Sequence, residues 1–344
     1  MITIKDIARE AGVSIGTVDR VLHKRGRVSE ETTRKIQKIV EETGYKPNSA
    51  AQGLAANKKK FELCFAVPDP DYNPFFRDVV TGAQEKAKEL KERYGVTVRF
   101  CYLYKDLLNA QIMQEKLKEL DSADGVAALG VNQPDFRAKM AELEKKQIPV
   151  VLFNCDLPDV PHLSYVGCDY VKGGRLAAGL CAFAGTDSAK VCVFSQEIAN
   201  QIESYVLRMD GFRREMAERY PQMQIVDLQE ISRDEQKNEE TVREMLVRHP
   251  DISVAYVVNP LDYKICKLLH KAFKKQQIRI ITNDLADTQE DMVRDGVISA
   301  TICQEPEKQG AYPLDILFQY LANGIVPENK IYTNLTICTA QNIP

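Results

Sequence analysis

Residues Thr3 to Arg20 read T-I-K-D-I-A-R-E-A-G-V-S-I-G-T-V-D-R, and the spacing of their apolar side chains decides how the head of this chain folds. Ile4, Ile7, Ala8 and Ala11 fall at i, i+3, i+4 and i+7, the stripe of a short amphipathic helix. Thr3 is placed to cap it, with Asp6 three residues on. Gly12 ends it, because glycine takes a left-handed turn residue at little cost. Val13 plugs the corner. Ser14 caps a second helix whose Val18, Val21 and Leu22 share one face. Its other face carries Ile15, Gly16, Thr17, Asp19 and Arg20. Two helices joined this tightly predict a helix-turn-helix whose second helix is held ready to enter a DNA major groove.

The flanking sequence supports that reading. A third helix is expected from Ser29 to Gly44, with Ser29 as cap, Glu30 and Glu31 in the first turn, and Ile36, Ile39 and Val40 as its apolar face. Three such helices close one small core. Residues 1–60 hold 13 Lys/Arg against 7 Asp/Glu, whereas the whole chain has a net charge of -3. A basic head on an acidic body fits a polyanion-binding module attached to something else. Between them, Ser49 to Ala56 is a marginal helix interrupted by Gly53 and short of apolar anchors. It reads as a linker that orders on a partner.

At 344 residues the chain is long for one domain, and its 44% hydrophobic and 28% charged residues are globular values. No apolar run has the length of a membrane span, and Met1 leads directly into the first helix, so a cytoplasmic protein with no membrane partner is expected. Nine cysteines occur without a C-x-x-C, and Cys64, Cys101, Cys192, Cys303 and Cys338 sit in apolar strand-like runs. They read as small buried hydrophobes in a reducing compartment. The four histidines show no ligand spacing, so neither a metal nor any other cofactor is expected.

From Phe61 onward short apolar runs alternate with longer amphipathic ones. Phe61–Val67, Val96–Leu103, Gly125–Gly130, Ile148–Phe153, Ala189–Phe194, Gln224–Leu228, Val254–Val258 and Ile278–Thr282 read as strands. Helical patterns such as Phe75–Arg93 and Tyr205–Arg219 lie between them. This predicts an α/β body of two doubly wound parallel-sheet lobes with some ten strands. Ligands bind such lobes beyond the strands' carboxyl ends. Residues that follow strands are therefore the candidate site.

The string I-x-D-I-A-x-x-A-G-V-S-x-x-T-V-x-R-V-L, followed by R-V-S-x-x-T and G-Y-x-P-N-x-x-A, resembles the LacI/GalR (lac repressor) family of bacterial transcription regulators. The likeness runs over essentially the whole chain. The body, with N-P-F-F after its first strand and A-T-I-C-Q-E-P near its end, resembles a type I periplasmic-binding-protein sensor of the ribose-binding kind. The resemblance implies residues 1–46 as DNA-binding domain, 47–60 as hinge and 61–344 as effector-binding and dimerisation domain. Lobe 1 would be about 61–165 and 305–326, and lobe 2 about 166–304 and 327–344. It also implies a homodimer on double-stranded operator DNA, expected to act as a repressor and controlled by a small, carbohydrate-like effector.

Carried over residue by residue, Ile15, Gly16 and Arg20 fall where family members read bases, with Thr17 beside them. Arg20 suits guanine O6 and N7. Ser14, Thr32 and Asn48 match phosphate-positioning places, Thr3 and Ala51 are further DNA-binding candidates, and Leu54 matches a minor-groove wedge. Three departures stand out. Asp19 replaces the usual serine and Gln52 a frequent arginine, while Gly53 weakens the hinge helix. With Ile15 and Gly16 offering no side-chain hydrogen bond, specificity shifts toward Arg20, shape and the hinge.

In the body, Asn73, Phe75 and Phe76 resemble a sugar clamp, although at least one phenylalanine is expected to be core. Asn154 stands where sugar sensors often carry aspartate, and Cys155 where many carry a ligand-binding arginine. Arg208 matches the effector-binding arginine. Asn259 and Asp284 follow strands, and Gln304 lies 20 residues beyond Asp284, as in ribose-binding-type proteins. Amides, a carboxylate, an arginine and an aromatic ring together suit polyol hydroxyls, which both donate and accept. The competing reading of Asn259 and Asp284 is helix capping. An enzyme is disfavoured, since no G-x-S-x-G elbow, P-loop or G-x-G-x-x-G occurs; Gly173-Gly174 reads as close helix packing. A transport-linked binding protein and a regulator of a non-sugar (a nucleobase, an inositol or a sugar phosphate) remain the alternatives.

Overall fold

The computed structural model describes residues 4–22, 28–43, 60–71, 73–102, 115–186, 188–196, 203–232, 234–258 and 263–343. The head is three helices, α1 Ile4–Ala11, α2 Ile15–Leu22 and α3 Glu30–Thr43. Their joint core is Ile7, Ala8, Ala11, Val18, Val21, Ile36 and Ile39, with Val13, Val28 and Val40 packed at its edge. Gly12 takes φ 71°, and the Val13 N–H reaches back to the Ala8 carbonyl at 3.0 Å, which closes the first helix as its glycine requires. The Ser14 hydroxyl accepts from the Thr17 N–H at 3.1 Å, and Ser29 does the same for Thr32 at 3.3 Å. Both serines are thus helix caps.

The body contains two six-stranded sheets. In the first, β1 Glu62–Val67, β2 Thr97–Tyr102, β3 Gly125–Leu129, β4 Val150–Phe153, β5 Ser164–Gly167 and β11 Lys330–Tyr332 lie in the order β11-β5-β4-β3-β1-β2, all parallel. The second contains β6 Lys190–Gln196, β7 Gln224–Ile231, β8 Val254–Val257, β9 Arg279–Asn283, β10 Ala300–Cys303 and β12 Thr336–Cys338, in the order β12-β10-β9-β8-β6-β7. Only β12 runs antiparallel to its neighbour. Each sheet is covered on both faces by apolar clusters, which is why its strands are continuous hydrophobic runs.

Among the described residues twelve strands replace the ten or so expected. β5 (S-Y-V-G), β10, β11 and β12 are not among the eight named runs, since three or four residues are too few to show a period. The pairing of Lys330–Tyr332 with Tyr165–Gly167 places that stretch in lobe 1's sheet, rather than in lobe 2 from residue 327. The chain therefore passes between lobes at 168–169, 304–305 and 333–335. These crossovers are tied together: the Cys168 thiol donates to Gln304 Oε1 at 3.1 Å, Glu305 accepts from the Asn334 N–H at 2.8 Å, and the Thr333 N–H reaches the Gly167 carbonyl at 2.9 Å. All nine cysteines are free, seven buried and two half-buried, and Cys64, Cys101, Cys192, Cys303 and Cys338 lie in strands. Among the described residues no helix is long and apolar enough to cross a membrane.

Candidate functional site: the cleft between the lobes

Asn154 follows β4 and Asp284 follows β9, the same position in each lobe's sheet order. Both adopt a left-handed backbone, φ 62° and 67°. Asparagine and aspartate tolerate that conformation better than most residues. Each continues its sheet by one bond, the Asn154 N–H to the Val166 carbonyl and the Asp284 N–H to the Ile302 carbonyl, both at 2.9 Å. The backbone therefore turns sharply at the carboxyl end of the strand and leaves a polar side chain there. This geometry, rather than helix capping, explains both residues.

Arg208 lies on the helix Glu203–Arg219 of lobe 2 and is 4% exposed. Its guanidinium carbon sits 4.8 Å from the centre of the Tyr170 ring. Burial works against its charge, yet the Asp284 carboxylate and the surrounding groups hold its pKa above the ordinary value. For Asp284 burial wins: its carboxyl is raised, although Arg208 and a hydrogen bond from Gln304 pull it back. The direction at the carboxyl matters more, because arginine stays charged at any physiological pH. Gln304, at the second crossover, donates from Nε2 to Asp284 Oδ1 at 2.6 Å. Its sequence distance of 20 residues from Asp284 is thus a direct contact.

The remaining candidates divide. Phe76 is buried in the lobe 1 core, edge-on to Phe75 at 5.2 Å between ring centres, so it is a core side chain and not part of a clamp. Helical periodicity explains this: with Val79, Val80 and Ala83 it faces the sheet. Phe75 is only half-buried. Asn73 is exposed, and its Oδ1 accepts from the Phe75 N–H at 3.1 Å, a local turn just ahead of that helix. Asn259 lies outside the described residues, as do Thr3, Asn48, Ala51, Gln52, Gly53 and Leu54. Ile15 and Arg20 belong to α2 but their side chains are likewise outside. On the same helix Gly16 is exposed, and the Thr17 hydroxyl shares a hydrogen bond of 2.9 Å with Ser14. Thr32 accepts from the Ser29 hydroxyl at 2.8 Å.

Three residues were missed. Tyr170 opens the helix after β5, and its hydroxyl pKa is pushed well up by burial. Cys168 and Gln309 are buried partners of Gln304. Tyr170 and Cys168 had no legible signal because β5 is too short to recognise, and Gln309 had none because its role lies in its hydrogen bonds to distant residues. Cys155, at the expected arginine position, has a thiol pushed up to about 12 by burial. It offers the cleft no charge. A separate depression lined by Phe183, Tyr220 and Met223 lies on the outer face of lobe 2, away from these residues.

The body therefore defines a two-lobed binding protein with a polar cleft at the carboxyl ends of both sheets. A periplasmic binding protein domain matches residues 64–325, well over half of the chain, and the model of bacterial regulatory proteins of the lacI family matches residues 3–48. The chain belongs to the periplasmic binding protein domain family, and it carries at its head a domain of the lacI family of bacterial regulatory proteins. It is 28% identical to the ribose operon repressor of Lactococcus lactis over 96% of this chain and 94% of that one. It is 31% identical to the transcriptional regulator DegA of Bacillus subtilis over 63% of this chain, a match that spans 61% of DegA. The glucose-galactose binding protein GanP of Geobacillus stearothermophilus shares its fold, with a TM-score of 0.71 at 24% identity over 83% of this chain and all of that one.

Proposed function

We propose that this chain is a DNA-binding transcription regulator, acting as a repressor, whose operator affinity is set by a small neutral polyhydroxyl ligand held between the lobes. The observation that carries the reading is the convergence of Asn154, Arg208, Asp284 and Gln304 at one cleft, in a chain whose head is a helix-turn-helix. Neutrality follows from the charges. The Asp284 carboxylate lies near enough to Arg208 to raise its pKa, so the buried cation has an anion in the same cleft. Among the described residues a phosphate or carboxylate entering beside Asp284 would find no other cation in the network around Asn154, Gln304 and Gln309, and Cys155 supplies none.

Two copies would join through the body and set the spacing of two heads on a pseudo-palindromic operator. Residues 48–57 would become helical on DNA, with Leu54 as the wedge. Ligand binding would rotate lobe 1 and alter the distance between hinges. A coupling of about 1–3 kcal/mol changes occupancy 5- to 150-fold. Thermal-shift titration with D-ribose, myo-inositol and D-ribose 5-phosphate tests the ligand class. A neutral compound should stabilise the native chain and fail to stabilise Asp284→Ala. A shift that survives this substitution would place the ligand elsewhere; preference for the phosphate would refute neutrality.

A further inference from the structure

Gln309, on the helix Pro306–Asn323, is completely buried and bonds both the lobe 1 turn at Asn154 and the second crossover at Gln304. Its Nε2 donates to the Gln304 backbone carbonyl at 3.0 Å and to Gln304 Oε1 at 3.2 Å. Its Oε1 accepts from Asn154 Nδ2 at 3.0 Å. Gln304 Nε2 in turn donates to Asp284 Oδ1 at 2.6 Å. One unbroken amide chain thus runs from Asn154 in lobe 1 through Gln309 and Gln304 to Asp284 in lobe 2.

The direction of this chain is dictated by its fixed ends. A backbone carbonyl only accepts, so Gln309 must turn its nitrogen toward Gln304. Its oxygen is then left for Asn154, which must donate. A carboxylate likewise only accepts, so Gln304 must present its nitrogen to Asp284 and its oxygen to Gln309 and the Cys168 thiol. The polarity of Asn154 is the outcome. One of its two N–H groups is committed to Gln309, and its Oδ1 is turned away from Gln309; among the described residues that oxygen meets only the weak Cys155 thiol donor, at 3.8 Å.

We infer that Gln309 is a positioning residue of the effector site: it fixes Asn154 as a hydrogen-bond acceptor and joins the matched turns of the two lobes into one network. This rests on the reading of the cleft as the effector site. The ligand that fits would offer a hydroxyl or N–H donor to Asn154, and an acceptor-only group there would meet another acceptor. Gln309 also lies five residues past the second crossover, so any relative movement of the lobes must be carried through it or must break it.

The network is tested without any ligand, so its failure is separable from failure of the effector reading. Asn154→Ala, Gln304→Ala and the double variant are unfolded in urea as full chains and followed by far-UV circular dichroism. Asn154 and Gln304 communicate through Gln309, so their effects should depart from additivity by about threefold or more in the unfolding equilibrium constant. The departure should vanish in a Gln309→Met background. It should also vanish with Gln309→Glu, which keeps an acceptor for Asn154 but loses the donor to Gln304. Additivity in the native background overturns the inference on its own, even if neither Gln309 variant folds. So does non-additivity that persists after either Gln309 substitution.

Discussion

Replacing Gly174 by alanine should damage both stability and the effector site, whereas the same change one residue earlier should not. Gly174 sits where the helix Tyr170–Ala184 crosses the helix Glu203–Arg219. An added Cβ would lie 1.9 Å from the Arg208 carbonyl oxygen and 2.8 Å from the Phe212 nitrogen. Both are backbone atoms and cannot swing aside, so the helices must part by about 1.5 Å in a close-packed interior. Gly211 makes the reciprocal approach, 2.0 Å from the Val171 carbonyl. Overpacking of this kind costs about 1–3 kcal/mol. The helix-propensity gain of about 1 kcal/mol offsets part of it, leaving a net loss of about 2 kcal/mol at the severe end. At Gly173 an added Cβ meets only the Leu335 Cδ1 at 3.8 Å, an ordinary contact. Gly173→Ala should therefore be neutral or stabilising by up to about 1 kcal/mol. Urea denaturation of the two variants measures the difference. Ligand thermal shifts then report whether Arg208, whose carbonyl takes the clash, has moved from Tyr170. Equal tolerance at both positions, or a Gly174→Ala protein as stable as the native one, would refute the packing argument.

Three further outcomes follow from the same residues. Because burial raises the Asp284 carboxyl in the folded state, its stabilising contribution is complete below the unfolded value of about 3.9 and is lost as pH rises through the folded value. Urea midpoints taken from about pH 4 to 7 should therefore fall for the native chain relative to Asp284→Asn; a native midpoint that holds level with the variant's or rises relative to it as pH increases would mean the carboxyl is not raised. Arg20→Ala should relax preference at one base pair in each half-site, at about 1–3 kcal/mol, visible in an in vitro site selection. An unchanged selected sequence would remove Arg20 from direct readout. Leu54→Ala should weaken specific DNA binding far more than nonspecific binding, measured by anisotropy at one salt concentration. Equal losses would dismiss the wedge.

Much of the architecture was readable because its signals are local. Gly12, Ser14 and the apolar stripe of Ile7, Ala8 and Ala11 determine the head within twenty residues, and the structure buries that stripe. Buried parallel strands read as apolar runs whatever their partners. Short strands did not: K-I-Y at Lys330–Tyr332 has no period, and its lobe is decided by pairing with Tyr165–Gly167, far away in sequence. The cleft shows the same division. Asp284 and Asn154 were legible as polar residues after strands. Of the two phenylalanines in N-P-F-F, of which at least one is expected to be core, it is Phe76 whose helix periodicity points it there. Gln309 was illegible, since its role exists only through hydrogen bonds to residues 5 and 155 positions away.

The matched turns also explain how charge is distributed between the lobes. Asn154 and Asp284 occupy equivalent places, yet only lobe 2 carries a charge at its turn. Lobe 2 also carries Arg208 and Tyr170, so the ionic part of the site is assembled on one side. Had Asn154 been a carboxylate, bringing the lobes together would have buried a second anion against Asp284, with one arginine for both. The desolvation of an unmatched charge costs several kcal/mol. A neutral amide at Asn154, with one of its two N–H groups already committed to Gln309, removes that cost. Closure then depends on what the ligand supplies to the Asn154 oxygen and the Asp284 carboxylate, which is the condition for a cleft that responds to its effector instead of shutting without it.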